Sequence, residues 1–159
     1  MLYSTYSILK GHTGSVSAIA LPKGSSSLSF VITGSDDRTV KCWNMSNPSM
    51  PKSIYTEKAH DKDINAIDLS YDDRLFATGS QDRTIKLFNV ENGQVVSILK
   101  GHRRGVFSVK FSAVERVVAS SSGDSTVKLW SLADFTCLKV AQFNVKLTLD
   151  VRRTFKCCL

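Results

Sequence analysis

The sequence predicts an all-β fold made of three copies of one four-stranded unit, and three observations carry the prediction. A self-similar unit opens on His12, His60 and His102, which lie 48 and 42 residues apart. Within each unit, short runs alternate apolar and polar residues with period two, the pattern of a half-buried strand. Clusters of Gly, Asn, Asp and Ser punctuate those runs where turns are needed. Self-similarity at such a period marks stacked modules that bury their faces against one another. The clearest copy, Gly101 to Trp130, reads GHRRGVFSVKFSAVERVVASSSGDSTVKLW. Ala59 to Phe88 reads AHDKDINAIDLSYDDRLFATGSQDRTIKLF, and Gly11 to Trp43 carries GH, GSDDRTV and KCW in the same order.

Taken in order, residues 1–10 end on Ile8-Leu9-Lys10 directly before Gly11-His12. Ile54-Tyr55 and Ile98-Leu99 hold the same place before the next two units, so residues 1–10 read as the last strand of a preceding unit. The first unit, 11–58, is expected to have strands at Val16–Leu21, Phe30–Ser35 and Val40–Met45. Pro22-Lys23-Gly24-Ser25-Ser26-Ser27 reads as a flexible loop. That loop and Asn47-Pro48-Ser49-Met50-Pro51 lengthen this unit relative to the others, which accounts for its longer period. The second unit, 59–100, predicts strands at Ile64–Leu69, Leu75–Ser80, Ile85–Val90 and Gln94–Leu99. Asp72-Asp73 and Asn92-Gly93 mark its turns, the latter as a two-residue pair that tolerates positive φ. The third unit, 101–140, predicts Val106–Phe111, Val117–Ser122, Val127–Leu132 and a last strand starting at Thr136–Val140 that closes poorly. The tail, 141–159, leaves the pattern, although Phe143–Leu149 alternates well enough for a strand.

Four positions recur at fixed spacing: His12, Thr33, Asp37 and Trp43; His60, Thr78, Asp82 and Phe88; His102, Ser120, Asp124 and Trp130. A carboxylate that accepts from imidazole, a bridging hydroxyl and an indole N–H that only donates together form a polar relay. Such a relay ties the loop that opens each unit to its second and third strands. His102, Ser120 and Asp124 also have the composition of a nucleophilic triad. The set occurs three times with Thr replacing Ser in two, and no Gly-x-Ser-x-Gly elbow surrounds Ser120, so a structural network is the expectation and no enzyme is read. Phe88 lacks the indole donor; the second network is expected to be one bond short and its unit less rigid. The histidines are too dispersed for a metal site, no phosphate-binding glycine loop occurs, and no cofactor is expected.

With Gly-His at the start, the turn aspartate and a strand closing on Trp, the chain resembles the WD40 family over residues 8–140. The resemblance implies a β-propeller with one four-stranded blade per unit. Propellers usually close with four to eight blades. About three are present here, so an incomplete ring is expected and the chain reads as a fragment of a larger protein or a truncated product. The Asp of the Trp-Asp pair is absent: the chain has Trp43-Asn44, Phe88-Asn89 and Trp130-Ser131. A narrower likeness rests on GHRRGVFSVKFS followed by LADFTCLK, and on AHDKDINAIDLS followed by LFATGSQDRTIKLF. These stretches are similar to the transducin-beta-like WD40 subunits of the small-subunit processome, the nucleolar particle that processes pre-ribosomal RNA. The likeness implies a non-catalytic scaffold in the nucleus and nucleolus, with the proteins of a multi-subunit complex as partners and RNA contacted directly or indirectly. Arg103-Arg104 and Asp134-Phe135 enter the comparison as residues that blade geometry does not demand.

Arg103 and Arg104 follow His102 in a loop where the other units carry Thr13-Gly14 and Asp61-Lys62, so they are the candidate partner-binding residues. Adjacent guanidiniums offer paired donors suited to phosphate or carboxylate. Net charge is +7, of which the tail holds Lys146, Arg152, Arg153 and Lys156 against Asp150. The remaining surplus is spread along the chain, which permits acidic partners without specifying them. Two alternative functions belong to other classes. A ubiquitin-ligase substrate receptor lacks an F-box here. Lipid attachment through Lys156-Cys157-Cys158-Leu159 lacks the cysteine four from the end. No membrane contact is expected, and the four cysteines, without C-x-x-C spacing, read as reduced thiols. An arc of three blades leaves two apolar faces open, so self-association of the isolated chain is expected.

Overall fold

The computed structural model describes residues 8–24, 29–47 and 52–142. Twelve strands form three antiparallel four-stranded sheets, each a meander in chain order, and no helix occurs among the described residues. The first sheet holds β1 (Val16–Ala20), β2 (Phe30–Ser35), β3 (Thr39–Asn44) and β4 (Lys52–Lys58). The second holds β5 (Ile64–Leu69), β6 (Leu75–Ser80), β7 (Thr84–Asn89) and β8 (Val95–Lys100). The third holds β9 (Val106–Phe111), β10 (Val117–Ser122), β11 (Thr126–Ser131) and β12 (Cys137–Gln142).

Apolar residues on both faces of the middle strands explain why the sheets stack. One core cluster joins Ile32, Val40 and Cys42 of the first sheet to Ile64, Ile67, Leu69, Phe76 and Phe88 of the second. The next joins Ala77, Ile85, Leu87 and Leu99 of the second sheet to Val106, Val109, Phe111 and Val118 of the third. Two glycines set the spacing between sheets. A Cβ on Gly34 would lie 2.7 Å from Ile67 Cδ1, and one on Gly79 would lie 2.8 Å from Val106 Cγ1.

The innermost strands β1, β5 and β9 share a second device. Each carries one extra residue relative to its partner strand: Ser17, Asn65 and Phe107. Such bulges re-aim the side chain they hold. Ser17 Oγ donates to the carbonyl of Ile64, and Asn65 Nδ2 donates to the carbonyl of Val106 at 2.7 Å. The bulge residues of the first two sheets therefore stitch each inner strand to the next.

Some expectations change. The third sheet has a full fourth strand of six residues, β12, rather than a poorly closed start. Asn92-Gly93 is not a two-residue turn: β7 and β8 are joined by residues 90–94, and only Gly93 of the pair has positive φ, +70°. Gly93 N–H donates to Asn89 O, while Asn89 and Asn92 side chains cap the loop at Glu91 and Gln94. The loop after β1 is tied down at its start, because Asp73 accepts from the backbone N–H groups of Lys23 and Gly24, both at 2.8 Å. The strand expected at Phe143–Leu149, most of the tail and residues 1–7 lie outside the described residues.

Candidate functional site

Each of the three polar sets is built on one turn. In the first sheet, Arg38 N–H closes on Ser35 O, Asp37 N–H donates to Ser35 Oγ, and Arg38 takes a left-handed φ of +70°. The turn aims the Asp37 carboxylate back at the chain. Its Oδ1 accepts from Thr39 N–H and Thr39 Oγ1, at 2.9 and 2.6 Å. Its Oδ2 accepts from Thr13 N–H and pairs with His12 Nδ1, both at 2.9 Å. His12 Nε2 lies 2.8 Å from Thr33 Oγ1, which accepts the Trp43 indole N–H at 2.9 Å. The third sheet repeats the set: His102 reaches Asp124 at 3.0 Å and Ser120 at 2.8 Å, and Ser120 Oγ accepts from Trp130 at 2.8 Å.

Proton placement follows from the partners. An ionised carboxylate only accepts, so the proton sits on Nδ1 of the imidazole. An indole N–H only donates, so the hydroxyl takes it on a lone pair and gives its own proton to Nε2. Burial pushes Asp37, Asp82 and Asp124 up. Their hydrogen bonds from threonine, backbone and histidine outweigh burial and hold all three well below the ordinary carboxylate range. Burial also pulls His102 down, against the attraction of Asp124, which keeps the ring neutral.

The second sheet brings His60 to Asp82 at 2.8 Å and to Thr78 at 2.7 Å. Phe88 gives no donor, as the sequence implies, and Thr78 Oγ1 has a second acceptor within reach in Lys86 O, 3.4 Å away. The missing bond is offset by packing: Phe88 is buried and stacks on Phe76 with ring centroids 4.8 Å apart and planes 8° apart. Eleven of the twelve residues expected from the sequence thus fall into three hydrogen-bonded clusters, and the twelfth, Phe88, packs on Phe76 instead. Ser120 is 0% exposed and its hydroxyl is bonded on both sides, so the geometry gives it a locking role within its sheet.

Arg103 and Arg104 are exposed on the rim beside the third lock. Their backbone is fixed: Arg103 N–H donates to Asp124 Oδ2 at 2.8 Å, and Arg104 O accepts from Ser122 Oγ at 2.9 Å. Their side chains make no ion pair among the described residues. Asp134-Phe135 does have a structural task. Phe135 occupies the place of Gly93 with φ of +59° and packs on the core between the second and third sheets.

One buried carboxylate escaped the sequence reading. Asp68 on β5 accepts from Lys23 Nζ at 2.9 Å, Lys110 Nζ at 3.1 Å and Phe111 N–H at 2.8 Å. It joins all three sheets near their inner strands. The available signal was an aspartate in an apolar strand, with a lysine at the matching position of the next unit.

The repeats also match a known profile. The family described as WD domain, G-beta repeat matches residues 3–44, 51–89 and 93–131. The chain belongs to the WD40 family. Its matched stretches each close on β3, β7 and β11, and the sheets are its blades. Among curated proteins, it is 38% identical to U3 small nucleolar RNA-associated protein 13 of Saccharomyces cerevisiae over 111 residues, covering 64% of this chain and 14% of that protein. It is 43% identical to Transducin beta-like protein 3 of Mus musculus over 106 residues, 59% of this chain and 13% of that one. The Homo sapiens protein of that name is 41% identical over 106 residues. The chain thus spans a small part of the length of these relatives. Among solved structures, "Structure of U3-55K" superposes with a TM-score of 0.78 and "Crystal structure of RRP9 WD40 repeats" with 0.77. Both are 18% identical and cover 85% of this chain and 41% of theirs, a likeness of fold alone.

Proposed function

We propose that this chain acts as part of a non-catalytic WD40 scaffold for protein and ribonucleoprotein assembly, in small-subunit pre-rRNA processing within the nucleolus. The observation that carries the reading is the likeness to U3 small nucleolar RNA-associated protein 13 and Transducin beta-like protein 3 across the blades. The geometry agrees with it. Three His–Ser/Thr–Asp sets are spent on holding turns, which leaves the rim loops as the surfaces free to meet partners. Arg103 and Arg104 are the residues assigned to that contact, on blade 3. The test is affinity capture with the tagged chain from nucleolar extract, followed by protein identification and RNA sequencing. Enrichment of processome proteins with a U3-type small nucleolar RNA is the expected result. Capture of cullin-type ligase subunits in their place would overturn the reading.

A further inference from the structure

Charge separates the two seams between blades. Six rim positions recur at each. At the first seam they are Asp36 and Arg38 in the turn of blade 1, Lys58 at the end of β4, and Asp61, Lys62 and Asp63 in the loop that opens blade 2, three cations against three carboxylates. At the second seam the same places hold Gln81, Arg83, Lys100, Arg103, Arg104 and Gly105, four cations and no carboxylate.

Backbone pairing gathers those cations. Thr84, directly after Arg83, pairs with Lys100 across β7 and β8, and the Arg83 N–H closes the turn on Ser80 O at 3.2 Å. Gln81 of the same turn lies over the next loop: a Cβ on Gly105 would fall 2.1 Å from Gln81 Oε1. All four cations are exposed, and none forms an ion pair among the described residues. The turn carboxylates of both blades are occupied, Asp82 by His60, Thr84 and the Asp61 N–H, and Asp124 by His102, Thr126 and the Arg103 N–H. Gln81 also stands between this spot and the acidic loop of blade 2, since its N–H donates to Asp63 O at 2.9 Å.

This exposure belongs to a finished seam. Arg83 and Lys100 have a blade on either side. Asp61 and Lys62, which hold the places of Arg103 and Arg104 in blade 2, stay exposed with blade 3 packed beside them. The apolar side chains that flank the cations are buried: Leu99 is 1% and Val106 0% exposed. The spot therefore offers charge without an apolar centre. A protein partner would need such a centre, because interface cores are apolar and depleted of charge. A phosphate backbone needs only cations, and guanidiniums hold its oxygens in a fork.

We propose that Arg83, Lys100, Arg103 and Arg104 form one site for the phosphate backbone of RNA across the seam of blades 2 and 3. The proposal rests on the ribonucleoprotein reading above; it adds Arg83 and Lys100 to the contact and names its direct ligand. The probe is fluorescent oligouridine, its affinity for the purified chain followed by anisotropy from about 50 to about 200 mM salt. Four phosphate contacts predict a slope of log affinity against log salt of roughly −3. Arg83→Asn with Lys100→Ala should weaken binding and flatten that slope by roughly 1.4 units, as should Arg103→Ala with Arg104→Ala. Asparagine is the choice at position 83 because it tolerates the left-handed φ of +75° found there. Arg38→Asn with Lys58→Ala, the matching change at the first seam, should bind as wild type. Thermal melts equal to wild type show that each variant is folded. An unchanged slope for Arg83→Asn with Lys100→Ala, or displacement of the RNA by polyglutamate at equal charge concentration, would overturn the site. A chain that captures processome proteins from extract yet binds no oligouridine would sink this inference and leave the scaffold reading standing. One that binds oligouridine with the expected slope but captures none of those proteins would do the reverse.

Discussion

Asp124 shows how much one side chain holds. It accepts from His102, from the N–H of Arg103, and from both the N–H and hydroxyl of Thr126. Asp124→Ala orphans several of these donors at once, for a loss of about 1–3 kcal/mol in urea unfolding. Ser120→Thr should be neutral by the same measurement, because Thr33 and Thr78 hold the equivalent places, each bonded to its histidine Nε2, and Thr33 also accepts the indole N–H of Trp43. The locks also set the response to acid. His102 is depressed below its ordinary 6.5 and the three aspartates lie below their ordinary 3.8. For groups depressed in the folded state, the stabilisation is complete above the unfolded value and is lost as pH falls. The urea midpoint should therefore start to drop below pH 6.5 and fall more steeply below 3.8. A midpoint that rises between neutrality and pH 5.5–6 (roughly one unit below the ordinary histidine value) would contradict the neutral-ring assignment. These residues were legible in the sequence because their spacing repeats three times. Asp68 has no such local signal, because its partners come from the two flanking units, Lys23 from the first and Lys110 and Phe111 from the third.

The outer strands show two solutions to one packing problem. Between blades 1 and 2, Tyr55 of β4 reaches across, its hydroxyl donating to Val90 O at 2.9 Å, and its ring lies 2.9 Å from where a Cβ on Gly93 would sit. Between blades 2 and 3 the bulk comes from the other side. Strand pairing puts Ser97, not Leu99 as the sequence suggests, in the place of Tyr55, since Tyr55 pairs with Cys42 and Ser97 with the matching Leu87. Phe135 stands in the place of Gly93. Phe135 accepts a left-handed backbone to do so. Gly93→Ala meets both the Tyr55 ring and an unfavourable φ, and should lower stability by more than about 1 kcal/mol. A thermal melt matched to wild type would refute the close approach. Strand centres were readable from alternation alone, since a period of two fixes which residues face the core. Strand ends were not, because β3, β7 and β11 all start one residue earlier than the apolar run, at the Thr whose hydroxyl is bound by the turn aspartate. The Asn92-Gly93 loop was misread for a related reason: Asn89 and Asn92 cap a longer loop with their side chains, and a dipeptide cannot reveal that.

At the scale of the molecule, burial follows neighbours. Ile64, Ile67 and Leu69 of β5 and Val106, Val109 and Phe111 of β9 are buried because another blade covers them. The matching Val16 and Ile19 of β1, with Leu21 just beyond it, are 56%, 61% and 50% exposed. On the far side, Val127 and Leu129 are half-buried where Ile85 and Leu87 are fully buried. Two apolar faces of complementary kind thus stay uncovered, and ones of that type drive association. Light scattering on the purified chain should show oligomers that Val16→Glu with Ile19→Glu disperses; a dilute wild-type monomer would contradict it. Partner contact is proposed at the charged rim loops, which the three polar locks hold in position. The most direct test is quantitative capture from nucleolar extract, comparing wild type with the double variant Arg103→Glu, Arg104→Glu at matched melting temperature. Recovery of ribonucleoprotein components should fall severalfold in the variant. Recovery equal to wild type would contradict the claim and remove blade 3's rim from the contact surface.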